Sequence, residues 1–196
     1  MAQARPAKKP PAKKAPAKKA PAKSVTARSG PAKKTAKKGA AARLEPGDRA
    51  PAFSLPDQDG HNVSLEDFAG SPVVVYFYPA DDTPGCTKEA CQFNDNLRAF
   101  GRAGVAVVGI SPDDAASHRA FRVKYRLRLP LLSDPDHDVM QRYGAWGEKT
   151  LYGRKTTGVI RSTFLLGGDG KVRQAWYGVR ADGHAAKVLE ETAAVD

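Results

Sequence analysis

The chain has 196 residues, 41% of them apolar and 27% charged, and its 32 lysines and arginines exceed its 21 aspartates and glutamates to give a net charge of +11. No apolar run is long enough to span a bilayer and no apolar h-region is present, which argues against a membrane-spanning helix and against secretion by a signal peptide. Two cysteines five residues apart, with none to spare, fit a reducing compartment.

Residues 1–43 differ in composition from the rest. They hold 14 basic residues and no acid, so residues 44–196 set 18 basic residues against all 21 acids and carry about −3. A Pro-Ala-Lys-Lys unit recurs from Pro6, Pro11, Pro16 and Pro31, with a shortened copy at Pro21. Apart from Met1 and Val25 this segment has no large apolar side chain to bury, and it is expected to be a disordered tail. It resembles the lysine-, alanine- and proline-rich arms of linker histones and some bacterial nucleoid proteins, which neutralise phosphates without reading bases. Without aromatics to stack on bases, the binding it suggests is non-specific for DNA or RNA. The competing reading is a solvated, solubilising extension. Its prolines break the amphipathic helix of an organellar transit peptide. A cytoplasmic protein, nucleoid-associated through its tail, is the expectation, or a nuclear one in a eukaryote. Roughly 153 residues remain for one well-buried domain.

Within 44–196, Phe53–Leu55 and Val63–Leu65 flank Asp59-Gly60, a hairpin signal. Val73–Tyr78 is an unbroken apolar run, the pattern of a strand buried on both faces, and Pro79 ends it. Thr83 and Pro84 then fit the N-cap and first position of a helix, with Cys86 third and the Thr83 hydroxyl turned toward the first-turn backbone. Cys86, Ala90, Phe93, Leu97 and Phe100 form one inward stripe, closed by Gly101 and Gly104. Val105–Ile110 reads as a second buried strand. A helix over about Asp113–Tyr125 follows, with Ala116, Phe121 and Val123 among its apolar residues. Leu129–Leu132 is a short strand and His137–Tyr143 a helical segment. Thr163–Leu166 and Val172–Tyr177 bracket Gly167-Gly168-Asp169-Gly170, a hairpin turn and not a phosphate loop, because no helix follows it. A last helix covers about Gly183–Ala193. This order is an α/β arrangement of a single domain.

The chemistry concentrates at Cys86. Unpaired N–H groups and the positive dipole end of a helix start favour a thiolate there, marking Cys86 as an activated nucleophile rather than an inert core residue. Cys91 lies about 140° around and roughly 7.5 Å along the same helix, farther than the roughly 4.4–6.8 Å between Cα atoms that a disulfide needs. A permanent disulfide is not expected. A transient one, formed when Cys91 resolves a sulfenic acid on Cys86, fits local unfolding of the helix start.

The segment Pro79-x-x-x-Thr83-x-x-Cys86, with Cys91 five residues on, resembles the active-site signature of peroxiredoxins of the bacterioferritin-comigratory or Q type. Ser133-Asp134-Pro135-Asp136-His137, Tyr143–Lys149, Tyr152–Lys155 and Arg161-Ser162-Thr163-Phe164 are similar to that family in the same order, so the resemblance covers residues 44–196. It implies a thioredoxin-like fold and a thiol peroxidase acting on hydrogen peroxide and organic hydroperoxides. Cys86 would be the peroxidatic and Cys91 the resolving cysteine, Thr83 and Arg161 polar partners of the peroxide, and Pro79 a shield over the pocket. It further implies recycling by thioredoxin or a similar dithiol protein, no cofactor, and a monomer or weak homodimer. Arg161 suits the chemistry, because a planar, permanently charged fork can reach both a sulfur and a peroxide oxygen. On residues alone it would be a surface arginine at a strand start, and Thr83 and Pro79 a plain cap and a plain terminator. The second function class is a nucleic-acid-associated thiol sensor or disulfide exchanger.

Asp134, Asp136, His137 and Asp138 hint at a metal, but acids where a loop enters a helix are accounted for by the helix dipole. His61, His118 and His184 have no ligand spacing and are expected mostly at the surface.

Overall fold

Six apolar residues in a row, Val73 to Tyr78, need a strand with cover on both faces. In the computed structural model, which describes residues 43–151 and 154–193, that strand lies at the centre of a sheet. The elements in chain order are β1 (Ser54–Pro56), β2 (Asn62–Ser64), a 3-10 turn (Leu65–Phe68), β3 (Val73–Phe77), α1 (Pro84–Arg102), β4 (Ala106–Ser111) and α2 (Ala115–Tyr125). They continue with β5 (Leu131–Ser133), α3 (Asp138–Arg142), β6 (Trp146–Leu151), β7 (Arg154–Val159), β8 (Ser162–Leu166), β9 (Val172–Tyr177) and α4 (His184–Thr192). The main sheet is ordered β5-β4-β3-β8-β9, with β3 parallel to β4 and antiparallel to β8. All but residue 43 of the predicted tail lies outside the described residues. Arg43 itself lies with its guanidinium 4.9 Å from the centre of the Tyr177 ring.

Strand alternation divides the core in two. Val73, Val75 and Phe77 pack with Ile110, Leu132, Phe164 and Met140 of α3. Val74, Tyr76 and Tyr78 pack with Leu131, Leu165, Phe93 and Phe100 of α1, Phe121 of α2 and Val188 of α4. Full burial of each such side chain stabilises the fold by about 1.5–3 kcal/mol. Because β8 runs against β3 with Ser162 opposite Phe77, β8 begins where β3 ends, at the edge from which α1 departs. The first half of α1 is also clasped to the start of α4. Gln92 donates to Asp182 Oδ1 at 3.3 Å and accepts from the Gly183 N–H at 3.1 Å, while Lys88 Nζ lies 2.9 Å from Asp182.

Several expectations need correction. Val123 is 75% exposed, and the inward stripe of α2 is His118 and Phe121. Val123 follows Phe121 by two residues, which on a helix turns it to the far side. Gly101 lies inside the last turn of α1, and Gly104, at φ +69°, takes the left-handed position beyond it. The β6–β7 hairpin was not read from the sequence, since its paired residues, such as Glu148 with Thr157 and Lys149 with Thr156, lack apolar alternation. His61 is exposed as expected, but His118 and His184 are buried, each beside a polar partner from a distant segment.

His184 Nε2 lies 2.8 Å from Thr163 Oγ1. Burial, with the charges of Lys187 and Arg161 adding to it, lowers this imidazole from the usual 6.5 to about 4. Between those pH values the unfolded chain binds a proton that the folded chain refuses, so the contribution is complete above pH 6.5 and lost as pH falls toward 4. Across that window the wild type is expected to lose on the order of 1–3 kcal/mol more stability than His184→Gln, read from urea midpoints. Parallel curves for the two proteins would rule this out.

Candidate active site

Three pieces of chain converge at the ends of β3 and β8. Tyr78 is held to the sheet through its N–H on Ile110 O at 3.1 Å, and the chain then turns through Pro79–Asp82 into α1. Thr83 is the N-cap in extended conformation, Pro84 takes the first helical position and Cys86 the third, as the sequence predicts. The Thr83 hydroxyl does otherwise: it donates back to Ala80 O at 3.2 Å, and no side chain caps the first turn. With no side chain capping the turn, the Gly85 and Cys86 amides are left for an incoming oxygen.

Cys86 is 1% exposed, packed among Tyr76, Tyr78, Ala90 and Phe93. Its sulfur accepts from Arg161 Nη2 at 3.1 Å. Arg161 lies 75 positions along the chain, immediately before β8, and the antiparallel docking of β8 on β3 brings it to the helix start. The guanidinium and the helix dipole both face the sulfur with positive charge, the arrangement that suits an anionic nucleophile.

The other arm of Arg161, Nη1, bonds Glu89 Oε2. Glu89 lies one turn below Cys86 and is fully buried, and its second oxygen has no partner. Burial pushes this carboxyl up to about 7, although Arg161 pulls it down. For Arg161, burial works against the charge, and Glu89 and Cys86 outweigh it to raise the group's affinity for its proton. Sequence reasoning missed Glu89. The available signal was an acid at i+3 from Cys86, on the helix's otherwise apolar stripe.

Cys91 is half-buried on the same unbroken helix, and both cysteines are free. Burial, then the nearby Asp95 charge, raises the Cys91 thiol above its usual value. Pro79 is half-buried at the turn after β3. The structure therefore joins Cys86 and Arg161 directly, sets Thr83 at the cap of the same helix and keeps Cys91 apart by more than a turn. Among the described residues no group of three or more histidine, cysteine or acidic side chains is arranged to hold a metal ion. The Asp134 carboxylate instead accepts from the Val139 and Met140 N–H groups at the start of α3.

A model of the AhpC/TSA family matches residues 46–175. A putative peroxiredoxin of Mycobacterium tuberculosis is 58% identical over 149 residues, 76% of this chain and 95% of its own length. Escherichia coli peroxiredoxin Bcp is 46% identical over 146 residues, 74% of this chain and 94% of its own. Among solved structures, the Xanthomonas campestris bacterioferritin comigratory protein, described for its alkyl peroxide reduction activity, superposes with a TM-score of 0.69 at 40% identity, over 72% of this chain and 90% of that one. Peroxidoxin BcpB of Mycobacterium tuberculosis gives 0.70 at 36% identity, over 79% and 99%.

Proposed function

Because this chain belongs to the AhpC/TSA family, as a peroxiredoxin of the bacterioferritin-comigratory (Q) type and hence a thiol peroxidase, we infer that Cys86 is its peroxidatic thiol and Cys91 its resolving one. The observation that carries the assignment is the 3.1 Å hydrogen bond from Arg161 to the Cys86 sulfur at the start of α1. The Cys86 thiolate attacks the nearer peroxide oxygen; the S–O bond forms as the O–O bond breaks. The leaving hydroxide or alkoxide departs with a proton from solvent, giving a sulfenic acid and water or an alcohol. Arg161 and the first-turn amides stabilise the charge passing to the leaving oxygen. Thr83, at the cap, can turn its hydroxyl from Ala80 to the bound peroxide, and Pro79 limits water access. Cys91, as thiolate, then attacks the Cys86 sulfur; the S–S bond forms, the S–O bond breaks, and hydroxide leaves as water with one proton. A dithiol protein such as thioredoxin reduces the disulfide by exchange. The substrate range includes organic hydroperoxides, in line with the alkyl peroxide activity described for the Xanthomonas relative.

The test is consumption of hydrogen peroxide and of an alkyl hydroperoxide by reduced protein with thioredoxin and its reductase, with the Cys86–Cys91 disulfide looked for by mass spectrometry. Turnover with that disulfide supports the assignment. Peroxide-dependent turnover without it refutes the role of Cys91, and no turnover would favour the thiol-sensor reading.

We further propose that the chain binds nucleic acid non-specifically through its basic tail, as a cytoplasmic, nucleoid-associated monomer or weak dimer. Support comes from the 14 basic residues without an acid in residues 1–43. It also comes from an arginine edge on the folded part: Arg98 and Arg102 lie one turn apart on α1, and Asn94, a further turn back, accepts from the Arg128 N–H at 2.8 Å. Those three arginines and Arg126 are exposed, and none has a carboxylate partner among the described residues. Removing residues 1–43 is expected to weaken duplex DNA binding by on the order of 100-fold at 0.1 M salt and to flatten its salt dependence. Unchanged affinity would sink the idea.

A further inference from the structure

The turn between β3 and α1 is held by a buried polar cluster that the peroxide chemistry does not use. The Asp81 side chain, 4% exposed, accepts from Tyr78 Oη at 2.8 Å and Ser117 Oγ at 2.8 Å, and lies 2.8 Å from His118 Nδ1. The Asp81 N–H donates to Asp113 Oδ2 at 2.9 Å, which also accepts from Ser111 Oγ at 2.7 Å. Asp82 sits in the left-handed region at φ +53° and bonds Lys124 Nζ and Tyr125 Oη, each at 2.6 Å. The first turn of α2 thus grips Asp81 and its last turn grips Asp82, so the two residues before Thr83 are tied along the whole of one helix.

His118 is kept at a cost to the core and a gain to the turn. It is fully buried, and its Nε2 has no partner, a cost that a phenylalanine of similar shape would avoid. What histidine supplies and phenylalanine cannot is the Nδ1–H bond to Asp81. The left-handed Asp82 likewise carries a backbone strain that its bonds to α2 must offset. Both features fix backbone just ahead of the reacting cysteine.

We propose that Asp81 and His118 are positioning residues for Cys86, holding the turn before Thr83 against α2. With the turn held, the first turn of α1 forms in register with Arg161, and unwinding of α1 goes no further back than Thr83. The proposal rests on the two-cysteine reading above. Loosening the turn has opposite effects on the two chemical steps: the folded turn that attacks peroxide is less populated, and the open one that meets Cys91 is more so.

The experiment uses the reduced full chain with His118→Phe, which keeps the ring and removes the donor, and His118→Asn, whose amide nitrogen falls near Nδ1 and restores it. Sulfenic acid formation is followed by stopped flow with hydrogen peroxide, and disulfide formation by acid quench, alkylation and mass spectrometry. His118→Phe is expected to slow the first step about tenfold and to speed the second several-fold, with less sulfinic acid at high peroxide. His118→Asn is expected to stay within about twofold of wild type in both. Should His118→Phe fail to fold, Ser117→Ala removes another donor to Asp81 and should give a smaller pair of changes with the same opposite signs. Both steps unchanged, or both moving in one direction, overturns the proposal, because a general loss of packing would do the latter. A wild type that forms no Cys86–Cys91 disulfide overturns the two-cysteine reading and this proposal with it; one that does, with unaltered variants, overturns this proposal alone.

Discussion

Cys86→Ser is expected to lower peroxide consumption by on the order of 10⁴-fold or more, with the fold retained, measured as thioredoxin-coupled turnover. A serine hydroxyl must lose its proton to a base before it attacks, and among the described residues no side-chain base is hydrogen-bonded to residue 86. Arg161, 3.1 Å from the sulfur, is a cation with no proton affinity to spare. Glu89 is engaged with Arg161, His118 with Asp81 and His184 with Thr163. The site sets a cation and helix-start amides, and not a proton acceptor, against residue 86, an arrangement that suits sulfur as the nucleophile and not oxygen. Cys91→Ser makes the contrast: the first turnover should survive at close to the wild-type rate, and the product should halt as a sulfenic acid that thioredoxin recycles poorly. Steady turnover by Cys86→Ser would move the nucleophile elsewhere.

Arg161→Met is expected to slow the reaction of Cys86 with peroxide by about 100- to 1,000-fold, since it removes the charge that faces both the sulfur and the leaving oxygen. It should also cost stability, because Glu89 loses the one partner of its buried carboxylate. The carboxyl is already pushed up to about 7 with Arg161 beside it, and without that cation it rises further and is protonated at neutral pH. The loss is therefore about 1–3 kcal/mol, that of an unsatisfied buried polar group rather than of a buried charge. Adding Glu89→Gln to Arg161→Met should match the single variant's stability near pH 4.5, exceed it increasingly as pH rises toward 7, and leave the rate as slow as before. Stopped-flow rates and urea midpoints read the two effects separately. A rate within threefold of wild type for Arg161→Met would remove Arg161 from the chemistry.

The parts legible in the sequence were those with local signals. β3 announced itself as an apolar run, and Thr83, Pro84 and the stripe from Cys86 to Phe100 fixed the start and facing of α1. Arg161 was different: its residue type suits the chemistry, but on residues alone it reads as a surface arginine, and only the family resemblance raised it. Its contact with Cys86 depends on β8 docking against β3 across 75 positions. Glu89 was overlooked although its spacing from Cys86 was in view, because an acid on a helix is ordinarily assigned to solvent. His118 and His184 were misplaced for a related reason. Histidine is at home inside or outside, and what decides is a partner, Asp81 or Thr163, that another segment delivers. The Thr83 hydroxyl donates to Ala80 O, three residues back in the turn, and does not accept from the first-turn N–H groups, an orientation that the tight turn sets and the residue type alone does not.

With nineteen residues, α1 has a foundation as well as an expendable end. Unravelling from Pro84 to Cys91 would leave Gln92–Arg102 in place, with Phe93 and Phe100 still rooted in the core and Gln92 still hooked to Asp182 and Gly183. Oxidation would then redraw one corner of the surface while the hydrophobic layer beneath stayed seated. A reductase meeting the protein could distinguish the spent form from the ready one by that corner alone.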